Sequence, residues 1–124
     1  MVPKLTNTVT KEVFLSKLFE SRDATHLMHL KTKSYAEHIA LGEYYDGVLE
    51  LLDGLIESIQ GKYGVLNLSI NTTKPEDCCK YFKDLAAFVE LHGEKLFKET
   101  WIQNQVDTIV ELIYKTIYKL ENLK

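Results

Sequence analysis

Proline is nearly absent from this chain, with only Pro3 and Pro75 among 124 residues. A sequence so poor in the residue that breaks helices can sustain a few long ones, and the six glycines fall mostly where a helical pattern stops. Cysteine is as scarce. Cys78 and Cys79 are adjacent and poorly placed to bridge each other, so no disulfide framework is expected and the anticipated setting is reduced and cytoplasmic. Charge of one sign is missing too: fifteen basic against eighteen acidic side chains leave −3 overall, which removes the whole-chain electrostatic case for nucleic-acid binding. No uncharged apolar run approaches the roughly 20 residues that span a bilayer, and Met1 to Thr10 lacks the apolar stretch of a secretory signal. No membrane partner is therefore expected. There is no internal repeat or low-complexity segment. What remains is 45% hydrophobic and 27% charged, too apolar for a disordered chain and sized for one domain over residues 1–124.

The apolar spacing is helical. From Lys11 to Lys31, Leu15, Phe19, His26 and Leu30 recur at steps of three to four, with Arg22 between. Ser34 followed by Glu37 reads as a capping box opening a second helix, whose stripe is His38, Leu41, Tyr45, Leu49, Leu52, Ile56 and Ile59, with Gly61 and Gly64 available to end it. Residues 62–72 hold no sustained period and form a connection with room for a short strand or turn. Thr73 with Glu76 is a second capping pattern with Pro75 in the first turn, so a third helix is expected from there through Cys78, Phe82, Leu85, Phe88 or Val89, and Leu96, weakened or bent near its end by Gly93. A fourth stripe runs Trp101, Ile102, Val106, Ile109, Ile113, Ile117 and Leu120. The expected fold is all-α, an antiparallel four-helix bundle whose middle connection crosses between ends.

One constellation of side chains carries chemistry. His26 precedes the first turn and His38 follows it, while Asp53 and Glu57 lie four apart on one face of the second helix. Imidazoles with carboxylates suit divalent iron and its first-row neighbours. At about 1.5 Å per residue, the fifteen residues from His38 to Asp53 separate the two pairs by roughly 22 Å, too far for one ion. Fifteen steps of roughly 100° nevertheless leave both pairs on broadly the same side of the helix. A second copy docked antiparallel about a two-fold axis would set its Asp53 and Glu57 against the histidines of the first and make two equal sites. The metal reading therefore expects a dimer.

These spacings resemble the ferroxidase motif of the Dps-like ferritins, or miniferritins: a histidine, eleven residues, a histidine, fourteen residues, an aspartate, three residues and a glutamate, read here as His26, His38, Asp53 and Glu57. The resemblance covers about residues 9–61 and the remainder as architecture. It implies a ferritin-like bundle, an iron-oxidising site shared across a two-fold interface with those four residues as ligands, and a shell that stores iron. Peroxide or dioxygen would take the electrons. Departures accompany it. Leu27 stands where many members have tryptophan, and Gly42 where many have an acidic residue, with Asp46 or Glu43 as candidates to substitute. The lysine-rich tail that binds DNA in that family is not evident in Met1 to Lys11, and the connection after the second helix is short.

Other features have plainer readings. His29 is expected to pack or face solvent, and His92, with Glu90 and Glu94 on different faces, to lie at the surface. Tyr35 and Tyr45 flank His38 as candidate one-electron donors or as packing residues. The lysines at 95, 98, 115, 119 and 124 read as a solvated face. The competing function is a non-enzymatic oligomeric or structural protein that keeps the bundle and needs no metal.

Overall fold

Four helices account for nearly all of the order, in a computed structural model that describes residues 8–71 and 73–124. They are α1 (Lys11–Lys31), α2 (Tyr35–Tyr63), α3 (Cys78–Leu96) and α4 (Thr100–Asn122), with no strand among the described residues. The expected short strand in the connection does not form.

Local chemistry sets the ends. Thr10 caps α1 by accepting the Val13 amide, and Ser34 caps α2 by accepting the Glu37 amide at 3.2 Å. The returning half of the expected capping box is relayed: the Ser34 amide donates to the Thr32 hydroxyl, which donates to the Glu37 carboxylate at 2.6 Å. Gly64 closes α2 at φ +95°, a left-handed backbone that favours glycine. The third helix starts later than Thr73 and Pro75 suggested. Asp77 is its cap, accepting the Lys80 amide at 3.1 Å, so residues 73–76 belong to the connection.

Side-chain contacts fix the directions. At one end Lys11 lies over the Tyr63 ring, Tyr63 donates to Glu99, and Gln105 donates to Ser58, so the start of α1, the end of α2 and the start of α4 lie together. At the other, His29 meets His38, Lys119 pairs with Glu43, and Lys83 pairs with Glu121. The chain thus runs up, down, down and up, with α1 packing on α2 and α3, and α4 on α2 and α3. Residues 64–77 return along α1, where the Ser69 amide donates to the Ser16 hydroxyl. A single long crossover of this kind is the connectivity of ferritin-like bundles.

The core is aliphatic and aromatic, with Phe14, Leu18, Leu41, Leu52, Phe82, Leu85, Ile102, Ile109 and Ile113 essentially excluded from solvent. One expected stripe is displaced and another loses its first member. In α1 the buried line is Phe14, Leu18, Ser21, Thr25 and Met28, about a third of a turn from the stripe drawn through Phe19, His26 and Leu30, and Leu30 is 66% exposed. The cause is polar burial: the Ser21 hydroxyl donates to the Leu18 carbonyl at 2.6 Å and is bonded at 2.8 Å to the fully buried Tyr44 hydroxyl, so a hydroxyl-bearing face turns inward. Trp101, placed first in the α4 stripe, stands outside the core at 46% exposed.

α3 continues past Gly93 to Leu96. A Cβ at this buried position would come within 3.1 Å of Val106 and 3.4 Å of Phe14, so the missing side chain is what lets three helices approach one another.

Candidate functional site

The turn between α1 and α2 is only Thr32 to Ser34, so the last turns of α1 and the first turns of α2 lie side by side with their residues in antiparallel register. That register brings His26, His29, His38 and Tyr45 together. The His26 ring stacks on Tyr45 with centroids 4.1 Å apart and planes 13° from parallel. His29 and His38 stack at 3.7 Å and 21°. His29 also meets His26 and Tyr45 edge-on, at 6.1 Å and 5.1 Å. All four are partly exposed, so the cluster is open to solvent.

The two stacked imidazoles are bonded reciprocally. Nδ1 of His38 lies 2.9 Å from the His29 carbonyl, and Nδ1 of His29 lies 2.6 Å from the His38 carbonyl. A carbonyl can only accept, so both Nδ1 atoms carry the proton. In the neutral rings Nε2 therefore holds the lone pair, as in histidines that bind metals while a carbonyl orients the far nitrogen. The His29 carbonyl lies in the last turn of α1, where helical carbonyls lack an amide partner, and the His38 ring supplies a donor there.

Asp53 and Glu57 sit apart from this cluster. Both are exposed, and α2 is one uninterrupted helix from Tyr35 to Tyr63, so the helical rise sets Asp53 roughly 22 Å and Glu57 roughly 28 Å from His38. Among the described residues no group of three or more His, Cys, Asp and Glu is placed to hold a metal within one chain. One copy thus carries imidazoles at one end of the hairpin and carboxylates toward the other.

Nearby residues take other roles. Glu43, a candidate to replace the acidic residue missing at position 42, pairs with Lys119 of α4 at 2.5 Å. Asp46 is exposed. Arg22, one turn before His26, places a guanidinium nitrogen 3.0 Å from Asp23. His92 lies far along α3 against Phe88. Cys78 opens α3, where a helix N-terminus can lower a thiol pKa, yet burial, with Glu37 nearby, pushes it up to about 12. It is a packing residue.

His29 is the member that the sequence reading set aside. Its signal lies in a pairing of positions: a third histidine one turn after His26, and a glycine one turn after His38. Gly42 is where the His29 ring rests, and a Cβ there would lie 3.1 Å from His29 Cε1 and 3.2 Å from Nδ1.

The family model described as "Family of unknown function (DUF5856)" matches residues 29–120. The chain belongs to DUF5856. The matched segment of this DUF5856 member includes His29, His38, Asp53 and Glu57 and begins after His26. Neither the curated proteins nor the solved structures compared with it contain a match.

Proposed function

We propose that the chain binds Fe(II) between two copies and oxidises it, with His26 and His38 of one copy and Asp53 and Glu57 of the other as ligands. The observation that carries this reading is the anchoring of His38: a carbonyl on Nδ1 leaves Nε2 as a directed lone pair on a solvent-open surface. The His26, His38, Asp53 and Glu57 spacing supports it further.

The residues divide the work by chemistry. Neutral imidazoles retain the ferrous ion, and the carboxylates stabilise the ferric product by their charge. Two Fe(II) each give one electron to hydrogen peroxide, which takes up two protons and leaves as two waters; dioxygen is the alternative acceptor. An antiparallel two-fold dimer suffices for oxidation, and a larger closed shell would add iron storage and protection from peroxide.

The test is Fe(II) added anaerobically to purified protein, followed by peroxide. Ferric absorbance should rise faster than in buffer, and His38→Ala should abolish the gain. A rate no faster than buffer, or a protein that light scattering finds only as a monomer, defeats the reading. A rate no faster than buffer in a protein that still assembles would leave the second reading, a non-enzymatic oligomeric bundle that needs no metal.

A further inference from the structure

We propose that His29 is a positioning residue which, seated over Gly42, holds His38 in the orientation and tautomer that offer Nε2 to a cation. The inference rests on the metal reading for its purpose but on separate observations for its content. His29 acts twice. Its backbone carbonyl accepts the His38 Nδ1 proton at 2.9 Å, and its imidazole lies flat on the His38 ring at 3.7 Å, closing the side to which that ring would otherwise swing.

The His29 ring must itself be held, and the bond that holds it has an unusual acceptor. The His38 carbonyl is inside α2, where helix geometry already gives it the amide of residue 42, four positions on. Its remaining lone pair is reached by His29 Nδ1 at 2.6 Å only by passing over position 42. Any side chain there would meet the ring at 3.1–3.2 Å from its Cβ alone. Glycine costs about 1 kcal/mol in a helix interior relative to alanine. The space it leaves is filled by the imidazole, which gives the glycine a purpose. The feature that departs from the miniferritin pattern and the additional histidine are thus one device: an imidazole from α1 occupies the room a side chain of α2 would have taken.

In this account His29 acts through His38 and not as a ligand, its ring lying flat on the His38 ring and its carbonyl accepting the His38 Nδ1 proton. Its contribution is to orient His38 before the cation arrives, a role whose loss typically weakens metal binding 10- to 100-fold.

The experiment uses the full chain without metal, labelled with ¹⁵N, and reads the tautomer of His38 from its imidazole nitrogens; Co(II) binding is then followed by its visible spectrum. Wild type should show Nδ1–H at His38. His29→Ala and Gly42→Ala should both shift His38 toward Nε2–H and weaken Co(II) by about 10- to 100-fold. His29→Phe keeps a flat ring over Gly42 but no nitrogen, and should restore the tautomer and most of the affinity. An Nε2–H tautomer in wild type overturns the proposal, as does a His38 tautomer indifferent to both substitutions. So does a Phe variant that keeps the Nδ1–H tautomer yet binds Co(II) as weakly as the Ala variant, which would make His29 a ligand. Should the tautomer respond as expected while wild type takes up no Co(II), His29 stands as the residue that orients His38 and the metal reading falls. Gly42→Ala removes no polar group, so it tests the device even where His29→Ala fails to fold.

Discussion

The α1–α2 and α3–α4 hairpins are built alike, each two long helices joined by a three-residue turn, yet they use their interiors differently. Three of the four buried polar side chains among the described residues, Glu20, Ser21 and Thr25, lie on α1, and a fully buried tyrosine, Tyr44, on α2 is bonded to one of them. Only Thr116 is buried and polar on α3 and α4, where Phe82, Leu85, Val89, Ile102, Ile109 and Ile113 fill the interior. The imidazole cluster and the exposed carboxylates also belong to the first hairpin. Aliphatic packing is non-directional and is sensitive chiefly to changes of volume, whereas hydrogen-bonded groups demand particular geometry. The second hairpin therefore supplies burial, and the first holds side chains in place.

The comparison can be broken most directly in the second hairpin. Phe82→Ala, which empties a fully buried site against Tyr44, should cost about 3–5 kcal/mol in urea unfolding; a loss under about 1 kcal/mol would mean that burial there is not what holds the bundle. Gly93→Leu should cost about 1–3 kcal/mol or more by forcing α4 and Phe14 away, a loss readable in the same melts. In the first hairpin the effect shrinks. Tyr44→Phe removes one buried hydrogen bond while Ser21 keeps its bond to the Leu18 carbonyl, so about 1 kcal/mol is expected. Smallest is the double change Asp53→Asn with Glu57→Gln, which should leave the unfolding midpoint within about 0.5 kcal/mol of wild type because both are exposed. Its effect should appear instead in Fe(II) oxidation. If it destabilises the fold as much as Tyr44→Phe does, those carboxylates are structural and the division between the hairpins fails.

Much of this architecture is legible from one dimension. The ends of α1, the Ser34 cap, the Gly64 stop and the fourth stripe from Ile102 to Leu120 follow from short-range chemistry, since caps, left-handed glycines and 3.6-residue periodicity are local. The start of α3 was misread because Thr73 with Glu76 and Asp77 are rival caps a few residues apart, and only packing chooses between them. The buried face of α1 differs for another reason: Ser21 and Thr25 count as polar in any periodicity, yet both are interior, Ser21 with Tyr44 on another helix as its partner.

The candidate site divides in the same way. Sequence alone determined that Asp53 and Glu57 lie far from His38, roughly 22 Å and roughly 28 Å along one helix, because residue count and helical rise are sufficient for that. Tertiary structure decided what the spacing could not express: that His29 joins the cluster, that Gly42 is a seat for its ring, and that carbonyls hold both Nδ1 protons. Those contacts form between two helices, where side-chain direction and the space left by an absent Cβ count for more than distance along the chain.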